Sequence, residues 1–329
     1  MLRGHYRSAD GTLTTITDNE GIRRALDDTQ GLLWLDLESP SPEEGAVLSD
    51  VFDFHPLTIE DCLAPRLDPP KIDDYRRYLF LVVHGVEEYP PSAEGRELEP
   101  LELDLYLGDN YVVSCHLAPV AAVSRLLERC QRGGPVLDHD ADFLLHALLD
   151  GLVDDMLPVV DELNETVDRA EEQVLSDPQR STLQEILLVR RNSLRLRRFT
   201  TAEREIANRL SRGEFPTLVR EEAYVYFRDV YDHLVRIEYL VESVRDLADG
   251  ALNTYLSVVS NRLNEVMKVL TAAAAIFLPL ALIPAVFGMN FTGHTWPPWD
   301  EPWSFGLVVG AMVALGATMA FLFRRRNWI

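Results

Sequence analysis

Two apolar runs dominate the C-terminal end of the chain. VLTAAAAIFLPLALIPAVF (269–287) holds 19 residues without a charge, and WSFGLVVGAMVALGATMAFLF (303–323) holds 21. A helix needs about 20 residues to cross the hydrocarbon of a bilayer, so both runs predict membrane spans rather than buried core helices. Trp296, Trp299, Trp303 and Trp328 flank them as interfacial aromatics do, and Arg324-Arg325-Arg326 follow the second run. Basic residues collect on the inner side of a membrane, which puts that end inside. The short link forces an antiparallel hairpin, so the first span also begins inside. The pattern predicts spans at about 269–289 and 303–323, an outer loop at 290–302, and an integral plasma-membrane protein with both termini cytoplasmic.

Ahead of the spans the apolar positions follow a helical period. One helix is expected from about His139 to Asp177, where Asp177-Pro178 breaks it, and a second from about Ser181 to Ser211. A third starts with Pro216 in its first turn. It meets no further glycine before Gly250 and no further proline before Pro279. Continuous to Phe287, it would hold about 72 residues and extend roughly 110 Å at 1.5 Å per residue. Such a helix is a stalk, or it leaves one compartment for another.

Before Gly133-Gly134-Pro135 the runs are short. LLWLDL (32–37), YLFLVVHG (78–85), LELDLYLG (101–108) and YVVSCH (111–116) are strand-like, with Gly108-Asp109-Asn110 as the turn of a hairpin. Ser41 is placed as an N-cap, with Pro42 at the first helical position. Pro119 is expected to open a helix to about Arg132, and YPPSAEGRELEP (89–100) to be an exposed loop. The fold class is therefore an α/β cytoplasmic domain followed by a long helical stalk and a two-helix transmembrane hairpin. Its expected divisions are 1–135, 136–267 and 268–329.

Charge sharpens this picture. The chain has 31 Lys+Arg against 53 Asp+Glu, a net charge of −22. From Lys268 to Ile329 four basic and two acidic residues balance at +2, leaving −24 on the other 267. Nucleic-acid binding rests on basic contacts to phosphate, so this surface excludes nucleic acid as a partner and favours cations. Cys62, Cys115 and Cys130 form no CxxC pair and read as reduced thiols of a cytosolic compartment. MLRGHYRSADGTLTTI has no apolar core of the signal-peptide kind. No P-loop, nucleophile elbow or HExxH is present, and the scattered His55, His84, His116, His139, His146 and His233 suggest no catalytic set, so no enzyme is expected.

Two helices cannot enclose a pathway; conduction would need a ring of copies. Alternating steps of three and four back from Gly288 trace one seam: Ala285, Ala281, Leu278, Ala274, Thr271, Met267, Asn264, Ser260, Ser257 and Asn253. It carries no charge. It is polar at the cytoplasmic end and small or aliphatic within the span. A seam of small residues also serves close helix packing, and a ring of close-packed helices satisfies both roles. Met267, Leu270 and Leu278 are candidate hydrophobic constrictions. A non-conducting membrane scaffold or sensor would have no use for the stacked polar residues.

Phe287-Gly288-Met289-Asn290-Phe291 closes the first span. Together with YFRDVYDH (226–233), SNRLNEVMKVLT (260–271), IFLPL (276–280) and HPLTIEDCL (55–63), it resembles the CorA family of magnesium transporters. The resemblance implies a funnel-shaped homopentamer with the first spans lining the pore. It also implies a selectivity ring of Gly288, Met289 and Asn290 at the outer mouth. There Asn290 amide oxygens and Gly288 carbonyls would hold the waters of hydrated Mg²⁺, which sheds them reluctantly. In the family, Mg²⁺ is both substrate and regulatory ligand: intracellular Mg²⁺ at subunit interfaces keeps the ring closed. The matching positions here are Glu60 and Asp61, Asp150 in LLDGLVDD, and Asp229.

Three departures from the family pattern bear on ion preference. Asn253 stands where several members have an acid. Leu278 and Ala281 replace Met and Thr. The outer loop reads FTGHTWPPWDEPW, where Asp300 and Glu301 still concentrate cations. A zinc-transporting branch is the nearest competitor, but the seam has neither Cys nor His, the ligands zinc favours, and Met289 is intact. Co²⁺ and Ni²⁺ remain open as alternative hydrated substrates.

Overall fold

The computed structural model describes residues 1–87, 97–289, 297, 301–326 and 328. Asn290 and most of the outer loop, including His294, Trp296, Trp299 and Asp300, lie outside the described residues. The chain divides into two units, Met1–Leu252 and Asn253–Ile329.

The N-terminal unit is built on a seven-stranded sheet. Its strands are β1 (Leu2–Arg7), β2 (Leu13–Ile16), β3 (Leu32–Glu38), β4 (Lys71–Asp74), β5 (Leu79–Val86), β6 (Pro100–Leu107) and β7 (Tyr111–His116), in the order β2-β1-β3-β7-β6-β5-β4. Only β3 and β7 run parallel, with Leu35 opposite Val113. The four strands read from sequence, β3, β5, β6 and β7, are interior ones; β1, which is also interior, was not read. β3 and β5 are apolar nearly throughout because both of their faces are covered. The edge strands β2 and β4 have four residues each and too little apolar pattern to be read. The expected hairpin joins β6 to β7, closed by Gly108 N–H donating to the Tyr111 carbonyl at 2.9 Å.

One face of the sheet packs under α1 (Asn19–Asp27), α2 (Pro42–Asp50) and α3 (Pro56–Leu63). Leu33, Leu35, Leu37, Phe80, Tyr106 and Val113 meet Ile22, Val47, Leu48 and Cys62 there. Ser41 caps α2 as expected. Its hydroxyl accepts from Glu44 N–H (3.2 Å) while Glu44 accepts from Ser41 N–H (2.9 Å) and, on its other oxygen, from Leu2 N–H (3.0 Å). That reciprocal box fixes both the helix start and the edge of β1. The three cysteines are buried free thiols.

The opposite face carries α4 (Ala121–Gln131) and α5 (Ala141–Ser176), and α6 (Arg180–Ser211) packs on α5. Gly85 lets α5 come close: a Cβ there would lie 2.9 Å from Leu152. Glu97 pairs with Arg191 and Arg195, and Leu98 N–H donates to Asn192 Oδ1 at 2.9 Å. At the C-terminal end of the 89–100 stretch Leu98 is buried and Glu97 is tied to α6, while Glu99 is exposed and 88–96 lies outside the described residues. Pro119 does not open α4, whose N-cap is Val120.

The third long helix, α7 (Glu221–Phe287), holds 67 residues and starts later than Pro216 suggested. Phe215 and Val219 are buried in a turn closed by Val219 N–H donating to the Phe215 carbonyl (2.9 Å), which takes Pro216 out of the helix. The start is set by Asp142, which accepts from Arg220 N–H (3.0 Å), Nε (3.0 Å) and Nη2 (2.6 Å).

The second unit comprises α7 from Asn253 and α8 (Pro302–Arg325). Apolar windows of mean hydropathy 2.3 in α7 and 2.2 in α8 are almost wholly uncovered by the chain, with 6% and 0% of each buried. A soluble core helix would be buried, so these stretches fit a bilayer. Between Thr271 and Phe287 the covered or half-covered positions of α7 include Ala272, Ile276, Leu280, Ile283 and Phe287, and those of α8 include Ser304, Val308, Met312 and Gly316. Leu280 lies 3.4 Å from where a Cβ of Gly316 would be, a small-residue contact between membrane helices.

Asp142→Ala is expected to lower the stability of the N-terminal unit by about 2 kcal/mol, since it removes a buried carboxylate that accepts from both backbone and guanidinium of Arg220. Chemical denaturation of the native chain and the variant in detergent measures this; equal midpoints would refute it.

Candidate functional site

Two regions hold most of the candidate residues. The first is the seam on α7. Asn253, Ser257, Ser260, Asn264, Met267, Leu270, Thr271, Ala274, Leu278, Ala281, Ala285, Gly288 and Met289 are all exposed within the chain. Between Ala272 and Phe287 the side of α7 turned to α8 uses other positions, which leaves the uncharged seam bare; from Ser260 to Thr271 the helix is exposed on every side, Arg262, Glu265 and Lys268 included. Gly288 N–H donates to the Pro284 carbonyl at 2.8 Å, closing the last turn of α7. Gly288 also lines a cavity of about 720 Å³ with Phe287, Glu301 and Ser304, so the triplet begins where the ends of the two helices meet.

The second region lies between α5 and α7 in the N-terminal unit. Asp150 and Asp154 stand four apart on α5, and Asp229 and His233 four apart on α7. Carboxylate oxygens of Asp150 and Asp154 and a ring nitrogen of His233 all lie within 4.8 Å of one another. His233 Nε2 is 3.9 Å from Asp229 Oδ2, and its Nδ1 is buried without a hydrogen-bond partner. Among the described residues, no Lys or Arg pairs with these three acids. Burial pushes the Asp150 carboxyl above its ordinary range, with His146 pulling it back and Asp154 adding to the rise. Burial likewise lowers His146, against the pull of Asp150 and Asp229; its ring packs edge-on to Tyr226 and Phe227. Asp150 is half-buried while Asp154 and Asp229 are exposed, so it is at Asp150 that a divalent ion would relieve the cost of burying a carboxylate.

The four expected acids separate. Asp150 and Asp229 come together here. Glu60 and Asp61, on α3, are not members of the cluster. Glu60 is exposed. Asp61 is largely buried, 13% exposed, and accepts from Lys71 Nζ at 2.6 Å and Arg66 Nη2 at 2.7 Å. Burial opposes its charge, but Lys71 and then Arg66 outweigh that and hold its carboxyl below the usual range. Its charge is therefore already balanced within the chain. Asp154 and His233 were not anticipated. The signal was present as two i, i+4 pairs, Asp150/Asp154 and Asp229/His233, but only packing shows that they face each other.

The chain matches the family model described as CorA-like Mg²⁺ transporter protein over residues 29–325. It is 34% identical over 283 residues to the cobalt/magnesium transport protein CorA of Thermotoga maritima, covering 86% of this chain and 79% of that one. It is 26% identical over 300 residues to the divalent cation transporter CmaX of Pseudomonas aeruginosa, covering 90% and 87%. The fold matches the complete structure of the CorA magnesium transporter from Methanocaldococcus jannaschii with a TM-score of 0.83 at 20% identity, over 100% of this chain and 99% of that one.

Binding of a divalent cation between Asp150, Asp154 and His233 must expel any proton held by Asp150. Affinity is therefore expected to fall roughly tenfold or more between pH 8 and pH 5. Titration of the full chain in detergent with Mn²⁺, followed by electron paramagnetic resonance, measures it. Equal affinity at both pH values would count against the cluster as a cation site.

Proposed function

The chain belongs to the CorA-like Mg²⁺ transporter family, whose members are transporters and not enzymes, and on that footing we propose that it is a channel-like Mg²⁺ transporter. It is an integral membrane protein that moves divalent cations, and in the proposed reading they pass hydrated, down their electrochemical gradient. Entry of a cation into an inside-negative compartment gains about 2.3 kcal/mol per charge per 100 mV, so no nucleotide site is needed.

The observation that carries the reading is the bare, uncharged face of α7. Copies arranged in a closed ring, a pentamer by family resemblance, would turn this face to a common axis. Ser257, Ser260 and Asn264 then offer neutral oxygen and amide groups to the water shell of the ion. Met267, Leu270 and Leu278 narrow and dry the path, where closure by dewetting is available. At the outer mouth Gly288, Met289 and Asn290 form the selectivity ring. Neutral donors hold a hydrated ion less firmly than carboxylates would, and so release it.

Closure by intracellular Mg²⁺ is assigned to the acids. Asp150 and Asp229, with Asp154 beside them, repel one another when empty, and a bound cation would remove that repulsion and favour one arrangement of the helices. The carboxylates suit hydrated Mg²⁺; His233 adds a nitrogen donor that Co²⁺, Ni²⁺ or Zn²⁺ prefer. Asp61 would join such a site only by giving up Lys71 or Arg66. The topology follows the basic end: Met1 to Lys268 and the C-terminus lie in the cytoplasm.

Influx of Mg²⁺ into proteoliposomes holding a Mg²⁺-sensitive dye tests the pore. The native chain is expected to conduct, and Asn290→Ala at equal reconstitution to lose at least tenfold. Flux of Zn²⁺ or Co²⁺ without Mg²⁺ would move the substrate to those ions; no flux of any divalent ion at low lumenal Mg²⁺ would favour a scaffold or sensor. In the same assay, Asp150→Asn combined with Asp229→Asn is expected to raise about tenfold the Mg²⁺ that halves the flux. An unchanged half-point would remove these acids from closure.

A further inference from the structure

Glu203 on α6 has 6% of its surface exposed and a single strong partner. Its Oε1 accepts from the backbone N–H of His84 on β5 at 2.6 Å. Beside it lies a small space of about 10 Å³, room for one water at most, lined by Val83 of β5, Leu152 of α5, Ile206 of α6, and Val230 and Leu234 of α7. Four elements of the N-terminal unit meet at this carboxyl.

No cation among the described residues faces it. From β5, His84 turns its ring to Phe199 and to Glu102 of β6, with Nε2 3.7 Å from Glu102 Oε2, and its Nδ1 has no hydrogen-bond partner. From α5, the groups beside it are Leu149, Leu152 and Val153, and the adjacent Asp150 and Asp154 meet His233 instead. From α7, Asp229 pairs with His233, and Glu238 accepts from Arg204 and Thr201. Glu203 is thus a carboxyl in an apolar joint, with one N–H to hold its charge.

We propose that Glu203 is a proton-binding site that couples the surrounding pH to the packing of α5, α6 and α7 on β5. The step is simple dissociation: the carboxylic acid releases its proton to water and leaves a carboxylate between Val, Leu and Ile side chains. An ionised group in such a space is relieved by admitting water or parting the helices. Burial pushes the Glu203 carboxyl up to about 8, against the pull of the His84 N–H, so the change falls near neutral pH. The native state holds this proton over a range where the unfolded chain, with an ordinary glutamate near 4.5, has lost it. The contribution of Glu203 to stability therefore falls as pH rises from about 4.5 to about 8 and is level above that. The inference stands apart from the transport reading, since neither the seam nor the acidic cluster enters it.

The test uses the full chain in detergent and needs no transport. Infrared spectra of the native protein are expected to show a protonated-carboxyl C=O band that disappears between pH 7 and pH 9 and is missing from Glu203→Gln. Thermal unfolding of the native protein should lose a few degrees more than Glu203→Gln between pH 6 and pH 8.5, because the amide cannot ionise. A spectrum with no carboxyl band titrating in that range overturns the proposal, and so do parallel unfolding profiles. If the glutamine variant does not fold, the band must persist in Asp104→Asn, which removes the other deeply buried carboxyl that burial pushes up; its loss there overturns the proposal.

Discussion

The bare face of α7 is the constraint on which the other features depend. A helix that keeps apolar and uncharged polar residues exposed along one side has no stable state in water as a single chain. Its spans need a bilayer, and the seam needs a second surface. α8 covers only the side that holds Ala272, Ile276 and Leu280. What remains is suited to copies of itself, and a lining without charge suits an ion that keeps its water.

The N-terminal unit handles its charge differently. α6 ties its arginines to α7: Arg190 to Asp249, Arg197 to Glu242, Arg204 to Glu238. Exposed pairs of this kind contribute little each, but they absorb acids that would otherwise repel. Against that background Asp150, Asp154 and Asp229 stand out, because they face a histidine and no lysine or arginine. Asp61 shows the opposite arrangement, with two cations on one carboxylate. Among the acids that no lysine or arginine pairs, Asp150 and Asp154 are brought within 4.8 Å of the His233 ring where α5 meets α7.

Much of the fold was legible in the residues. Four of the five interior strands announced themselves because a strand covered on both faces must be apolar throughout, as LFLVVHGV is; β1, half-buried and carrying Arg3, His5 and Arg7, did not. The capping of α2 was legible because Ser41, Pro42 and Glu44 satisfy backbone groups locally. The edge strands, α1 and α3 were not, since short or half-exposed elements borrow their stability from the sheet they lie on. Pro119 and Pro216 misled for a similar reason: a proline fits the first turn of a helix and also the turn before it, and the choice was made by burial of Phe215 and Val219 and by the Asp142–Arg220 contact.

The sequence by itself determined two spans, the long helix leading into the first, and the uncharged seam, because hydrophobic length and helical period are local properties that no tertiary contact can alter. It also carried the family's motifs. The tertiary structure alone decided which acids meet, that Asp61 is already neutralised by Lys71 and Arg66, that His233 joins Asp150 and Asp154, and that Glu203 is sealed from water. Each of these depends on residues far apart in the chain. Whether a carboxylate is solvated, paired or stranded is a property of the space around it, and that space exists only once the helices have packed.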